Sequence, residues 1–576
     1  MSNSDSNTKD AMDLSLNPTT GKPPKIHHGY GEQASEEAGS GVVVTKSQVV
    51  SLILDLAGYT PDRDLTSLRL LDPSCGHGTF LAAAVERLIK SAHSQGKKAQ
   101  QLEGAITAYA MEAAHAQKAR RAVVKVLKTK GVAAKQADKL ADAWIKQEDF
   151  LRADAGATFD AIIGNPPYLR IEQLSQALQD EYRKLFTSLY DRADLYVAFI
   201  EKSLGLLSPE GVLSFICADR WILNKYGAPL RRALAEKFRI RSYIDLHNAA
   251  PFESEVIVYP SIFAISPGKQ DQVLVGRMDS ASAEECEAMQ KAIKEPEKEH
   301  PGATLAVFSS WFEGDAPWVL GSPAHLDVLR ALEAKFQPIE EVGSTKIGIG
   351  VATGNDKVYI VGEDVDIERD RLVPVVMRED IVDGEIRGGK RFVINTFKDD
   401  GGVVDINHFP KLAKYLEPHA EDLKKRHVAQ KNPGTWWRTI DRVYPQHVAV
   451  PKLLIPDIAS SNMIVFDEGR FHPHHNLYYV TSDVWDMEVL GGLLSSKVAL
   501  FFVWSYAVKM RGGYLRFQAQ YLRRIRLPAP KEIPSKLATS IRTAFRKRDF
   551  AKLDELALKA YGLTELPAFE FVDTRI

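Results

Sequence analysis

The stretch LLDPSCGHGTFLAAAVERL, residues 70 to 88, passes from an apolar strand through a glycine turn into a helix. The apolar run Leu68 to Asp72 predicts a buried strand, and the spacing of apolar residues over Thr79 to Ser91 predicts a helix. Between them, Asp72, Pro73, Gly76 and Gly78 make a turn in which glycine permits positive φ and lets a ligand lie against the backbone. The start of the following helix adds N–H groups with no partner inside the helix. The turn is neither the G-x-G-x-x-G fingerprint nor a P-loop, because no Gly-Lys-Ser/Thr follows.

Working outward, the same alternation repeats. Ile106 to Glu112 leads into helical Ala114 to Lys130, WIKQED is a third strand ending at Asp149, and Phe159 to Gly164 ends at Asn165. Helical Leu195 to Leu207 precedes a strand at Gly211 to Cys217, and helical Trp221 to Lys237 precedes one near Ile240 to Leu246. Strands alternating with helices of this length predict an α/β, Rossmann-like, mostly parallel sheet with its chemistry at the strands' carboxyl ends. From about Ser266 the rhythm breaks. A charged stretch punctuated by Pro296 and Pro301 predicts a surface helix and linker, and short alternating runs such as Lys357 to Val361 and Val448 to Ile455 predict an α+β second domain. The expected boundaries are a polar arm at 1–30, the α/β domain at 31–270, a charged helical linker at 271–304 and the second domain at 305–576.

The chain has 576 residues, 74 Lys+Arg against 75 Asp+Glu, and 45% hydrophobic residues, which excludes disorder, collagen-like repeats and coiled-coil arrays for its bulk. Its length exceeds what one core holds. Cys75, Cys217 and Cys286 are too few and scattered for a disulfide framework or a four-ligand zinc site, so a reducing cytoplasm is expected. The N-terminus lacks a basic start followed by an apolar core, and the longest apolar run, Val498 to Val508, is about half of what a membrane span needs. It is expected to be core.

Asp72, Glu112 and Asp149 stand at three successive strand ends around the glycine turn, a pattern that suits a nucleoside ligand. Glu112 could take two ribose hydroxyls, and Asp149 could accept from an adenine amine. Asn165-Pro166-Pro167-Tyr168 follows the next strand. Two prolines make a rigid turn without N–H groups, leaving the Pro166 carbonyl and the Asn165 side-chain oxygen as neighbouring acceptors for a group with two N–H donors. Tyr168 can stack on the flat ring bearing that group. A conjugated amine is a poor nucleophile, and gripping both hydrogens pulls its nitrogen towards tetrahedral geometry and frees the lone pair. No metal is required.

DPSCGHGTF followed by GNPPYLR resembles the amino-directed, S-adenosylmethionine-dependent DNA methyltransferases that modify adenine at N6, in the gamma order with a C-terminal recognition domain. The resemblance implies that Asp72, Pro73, Ser74, Gly76 and Gly78 surround the methionine part of S-adenosylmethionine, Glu112 its ribose, and Asp149 with Phe150 its adenine. It implies catalysis by Asn165, Pro166, Pro167 and Tyr168. Thr45 matches an upstream cofactor segment in which Lys46 replaces the usual proline, leaving the local turn in question. Phe252 matches an aromatic that stacks on the extruded adenine. The partner implied is double-stranded DNA, with a separate restriction endonuclease or defence-system subunit beside it.

A base inside a duplex must be flipped out to reach such a pocket, at a cost of a few kcal/mol. Sequence selection needs further contacts, for which the second domain offers Lys497, Lys509, Arg511, Arg516, Arg523, Arg524 and Arg526 with no acid among them in sequence. Segments 348–361, 374–381 and 442–459 also resemble the family's specificity domain. His472, His474 and His475 have no matching acid or cysteine set nearby in sequence, so no metal is expected. Rival substrates for the same tetrapeptide are RNA and a protein glutamine. Another rival is a DNA-binding modification subunit that needs a partner for turnover.

Overall fold

The computed structural model describes residues 43–569 except 255, 257, 310, 313, 389, 460–462 and 508–514. The chain forms two compact units, one ending at Trp318 and one beginning at Val319.

The first unit is built on nine strands: β1 (Leu70–Asp72), β2 (Ile106–Ala110), β3 (Ile145–Gln147), β4 (Phe159–Gly164), β5 (Leu207–Ala218), β6 (Phe238–Asp245), β7 (Pro260–Pro267), β8 (Val273–Arg277) and β9 (Thr304–Phe308). They form one sheet in the order β3-β2-β1-β4-β5-β7-β6-β8-β9. The pairs from β3 to β5 are all parallel, whereas β7 runs antiparallel between β5 and β6. Helices α1 (Ser47–Leu56), α2 (Thr79–Ser94), α3 (Ala113–Thr129), α4 (Ala134–Trp144), α5 (Gln176–Leu185) and α6 (Tyr196–Gly205) fill the connections up to β5. Leu70 and Leu71 of β1 are fully buried, as expected of a strand covered on both faces. The α/β, mostly parallel fold expected from the sequence is therefore present, and the order reverses around β1 and β4, where such sheets open a crevice.

Two expectations are corrected. The helix expected over Trp221 to Lys237 is divided into Arg220–Leu223 and Ala228–Lys237. Pro229 lies in the first turn of the second piece, where its missing N–H is harmless; further inside a continuous helix it would break the ladder. The expected linker at 271–304 does contain a helix, Ala283–Lys294. Its flanks, however, are sheet strands: β8 pairs with β6 and β9 with β8. Gln290 donates to Asp55 of α1 at 2.5 Å, tying this helix to the first unit.

The second unit is α+β. One antiparallel sheet orders Lys346–Ile349, Leu477–Thr481, Lys452–Pro456 and Val465–Asp467, and a mixed sheet orders Ile360–Gly362, Arg391–Ile394, Leu372–Val376 and His472–Pro473. Helices Met487–Leu494 and Lys497–Tyr506 are apolar and bent by 58° to one another. Val498 to Ala507 are all buried, so this run is core, as its length suggested. No single helix among the described residues is long and apolar enough to cross a membrane.

Candidate active site

At the carboxyl ends of β1, β2, β3 and β4 lies a cavity of about 270 Å³. Its wall includes Thr45, Ser74, Gly76, Glu112, Asp149 and Asn165, together with Pro73, Phe150 and Pro167. Eight of the nine follow the ends of these four strands, and Thr45 lies upstream of β1.

The glycine turn is shaped by two close approaches. Gly78 has φ +86°, and a Cβ there would sit 2.8 Å from the Ala119 Cα, so glycine lets α2 start against α3. Gly164, with φ +152°, ends β4, and a Cβ there would meet the Asp72 carboxylate at 3.1 Å. Asp72 is fully buried behind the turn and does not line the cavity. Its Oδ1 accepts from the Ser74 N–H at 3.1 Å, while its Oδ2 has no hydrogen-bond partner. Burial pushes this carboxyl up to about 7, against the opposing pull of the Ser74 N–H. The Ser74 hydroxyl donates to the Asn165 carbonyl at 3.2 Å, joining the loops after β1 and β4.

Glu112 immediately precedes α3 without a side-chain capping bond, its side chain about half exposed at the cavity wall. Asp149 is more occupied than its sequence suggests: Oδ1 accepts from the Leu151 N–H at 3.0 Å and Oδ2 from the Tyr182 hydroxyl at 2.8 Å. Burial first, and then Asp149, raises the Tyr182 hydroxyl well above its ordinary value, so it stays a donor. Phe150 stacks on Phe199 with centroids 5.5 Å apart. Lys202 of α6 donates to the carbonyls of Phe150 at 2.5 Å and Ala153 at 2.6 Å, clamping this loop. Sequence reasoning missed Tyr182 and Lys202, which reach the loop from α5 and α6, where no motif marks them.

Asn165 has the most directed geometry in the cavity. Its Nδ2 donates to the Val43 carbonyl at 3.1 Å and the Thr45 hydroxyl at 3.3 Å. A carbonyl only accepts, so this end of the amide must be the NH₂, and the other end must be the oxygen. That oxygen, Oδ1, is buried without a hydrogen-bond partner. Among the described residues, no donor reaches the Pro166 carbonyl either.

The segment that anchors Asn165 also carries Phe252. Lys46 N–H donates to Pro251 O and Glu253 N–H to Val44 O, both at 2.9 Å, and Thr45 and Phe252 form a bridge. Lys46 has φ −61°, the value a proline would impose, and uses an N–H that proline lacks. Lys46 therefore keeps the local turn and adds this backbone bond to it. Tyr168 and Phe252 are buried and meet edge to face, with centroids 6.2 Å apart and planes at 66°. Holding a base between two parallel rings requires about two contact distances of roughly 3.5 Å. Tyr168 and Phe252, each expected to stack on a base, thus meet edge to face and are not parallel.

In the second unit, the premise that the basic run lacks counter-charges does not hold. Arg516 pairs with Asp457 at 2.5 Å, Arg523 with Glu340 at 2.8 Å and Lys497 with Asp554 at 3.6 Å, all acids remote in sequence. Arg524 lies over the Tyr506 ring at 5.0 Å. Lys509 and Arg511 fall outside the described residues. The histidine cluster also differs from its sequence reading. His472 stacks on His447, whereas His474 and His475 lie beside Asp356, an acid from far upstream.

Residues 64–252 match the family model described as Eco57I restriction-modification methylase. The chain is 44% identical to the type II methyltransferase M.BstVI of Geobacillus stearothermophilus over 86% of this chain and 91% of that protein. It is 42% identical to type II methyltransferase M.PaeR7I of Pseudomonas aeruginosa over 91% of this chain and 92% of that one. The fold is similar to that of the type IIL restriction-modification enzyme MmeI, solved in complex with DNA: TM-score 0.60, 14% identity, 91% of this chain and 74% of that one. With relatives this similar along nearly their whole length, the chain belongs to the type II methyltransferases of restriction-modification systems.

Proposed function

We propose that this protein transfers a methyl group from S-adenosylmethionine to the N6 amine of an adenine flipped out of duplex DNA at a specific sequence. The observation that carries the reading is the Asn165 side chain, with Nδ2 tied to Val43 and Thr45 and Oδ1 buried without a partner beside the cavity. A buried amide oxygen left unsatisfied is costly, and it is explained by a donor that arrives with the substrate.

The cavity suits the cofactor. Glu112 offers a carboxylate for ribose hydroxyls, Phe150 an apolar face, and Asp149 spare acceptor capacity beyond its two internal bonds. Thr45, Pro73, Ser74 and Gly76 also line it, with Asp72 and Gly78 shaping the turn from behind. When bound, the cofactor supplies an electrophilic methyl group on a sulfonium. The chain's own part is to hold the amine. Asn165 Oδ1 and the Pro166 carbonyl accept one N–H each, Pro167 keeps the turn rigid, and Tyr168 packs against the base, with Phe252 beside it. These acceptors are fixed before the reaction, so they stabilise the charge that develops on nitrogen without reorganising. The second unit is assigned to target recognition, since a pocket that receives one extruded base cannot read its neighbours. A separate restriction endonuclease that cleaves the unmodified sequence is the partner this role implies.

The reading is tested by incubating the purified protein with S-adenosylmethionine carrying a labelled methyl group and DNA that lacks modification, with Asn165→Ala as the comparison. Label in the DNA from the wild type alone supports it. Label that enters RNA or protein and not DNA would overturn it.

A further inference from the structure

We propose that the second unit holds a divalent transition-metal ion of the zinc class on Asp356, His474 and His475. His474 Nε2 lies 3.1 Å from Asp356 Oδ2 and 3.0 Å from His475 Nδ1, and all three atoms lie within 4.8 Å of one another. Nitrogen and oxygen ligands about 2.0–2.1 Å from a tetrahedral zinc ion stand roughly 3.3 Å apart, so the two short separations are close to edges of such a site.

Local structure explains why two consecutive histidines converge. In a continuous strand their rings would point to opposite faces, but the strand Val375↔His472, Val376↔Pro473 gives way to a turn at His475. The rings then lie 4.1 Å apart on one side. His474 is fully buried and fixed through its backbone, donating to Val376 O at 3.0 Å, while His475 donates to Val351 O at 3.0 Å. Asp356 arrives at the end of the loop from Gly350. The Thr353 hydroxyl donates to its Oδ1 at 2.5 Å, leaving Oδ2 turned towards His474. An outer partner that orients a carboxylate ligand in this way is a usual feature of built metal sites.

The hydrogen-bonding alternative is less complete. His474 Nε2 carries at most one proton, yet it faces a carboxylate oxygen and an imidazole nitrogen together. Asp356 is about one-third exposed, which gives an ion an entry path and water for a fourth position. Two imidazoles and one carboxylate with an open position suit zinc, iron(II) or their neighbours and not calcium or magnesium, which favour all-oxygen shells. The three described cysteines are buried and lie elsewhere in sequence, so they do not compete as ligands. An ion here would staple the loop 350–356 to the turn at 474–475 inside the second unit.

The test uses the full-length protein, stripped with a chelator and dialysed against Zn²⁺, with bound metal counted by mass spectrometry and affinity read by competition with a chromophoric chelator. One Zn²⁺ per chain is expected. It should be lost or weakened at least tenfold in Asp356→Asn and in His475→Ala, both at partly exposed positions, and kept in the control His427→Ala. Thr353→Val should weaken binding by about tenfold or more, the scale for loss of an outer partner. Circular dichroism confirms that each variant is folded. No zinc above the level of a stripped control protein would overturn the proposal, as would stoichiometric zinc undiminished in folded Asp356→Asn and His475→Ala.

Discussion

Replacing Asn165 with alanine perturbs the proposed chemistry and the local structure at once, and the geometry allows the two effects to be separated. The change removes Oδ1, the buried acceptor for the target amine, and also the Nδ2 contacts to Val43 and Thr45. Loss of one preorganised contact that acts in the transition state costs about 2.7–4 kcal/mol, or roughly 10²–10³ in rate. Loss of a neutral hydrogen bond costs about 0.5–1.5 kcal/mol. Thr45→Val removes only the 3.3 Å contact and keeps both Oδ1 and the Val43 anchor, so its rate should fall by no more than roughly tenfold. Single-turnover transfer of a tritiated methyl group, with cofactor affinity measured by calorimetry, gives both numbers. Asn165→Ala should bind the cofactor nearly normally and transfer at least about 100-fold more slowly. If Asn165→Ala retained more than a tenth of the wild-type rate, the acceptor role would be refuted. A Thr45→Val loss as deep as that of Asn165→Ala would show instead that the asparagine acts as a tether for residues 43–45.

Three further outcomes follow from the structure. Glu112→Ala should weaken S-adenosylmethionine binding by about 1–2 kcal/mol, the cost of losing a charged acceptor discounted for its exposure; calorimetry showing unchanged affinity would remove Glu112 from the site. Asp72, with its carboxyl raised to about 7, binds a proton in the folded protein that the unfolded chain has released, so its contribution is complete below about pH 4 and is lost as pH rises through 7; denaturant melts should show Asp72→Asn flattening a fall of about 4 kcal/mol across that window. Arg516→Ala should lower thermal stability by about 1–2 kcal/mol through the unpaired Asp457 while leaving the salt dependence of DNA affinity unchanged; a slope reduced by about 0.9 would place this arginine on a phosphate instead.

The fold of the first unit was legible because its signals are local. Leu70 and Leu71 are apolar beside a glycine turn, and the helical spacing from Thr79 onward needs no distant partner to be recognised. The site was legible for the same reason, since a parallel sheet sends each strand-end residue to one edge and brings Ser74, Glu112, Asp149 and Asn165 to one cavity. What escaped the sequence depends on long-range pairing. β8 and β9 are five-residue strands at one end of the sheet, separated by the charged helix Ala283–Lys294, and only the register of β8 with β6 and of β9 with β8 shows them to be sheet. Tyr182 and Lys202 reach the Asp149 loop from helices whose sequence marks them only as polar residues on a surface. The uncompensated look of the basic run failed on the same ground: Asp457, Glu340 and Asp554 are remote in sequence and adjacent in space. Asp356 completed the histidine cluster in the same way.

The central claim is that the methyl group is delivered to an adenine amine in DNA, and its most direct measurement is the identity of the modified base. DNA lacking modification, incubated with the purified protein and S-adenosylmethionine bearing a deuterated methyl group, is digested to nucleosides and resolved by mass spectrometry. The account predicts that the deuterated label appears as N6-methyladenine, confined to one sequence context and absent with Asn165→Ala. Label in N4-methylcytosine would contradict the choice of base, and DNA left without label would contradict the reaction itself.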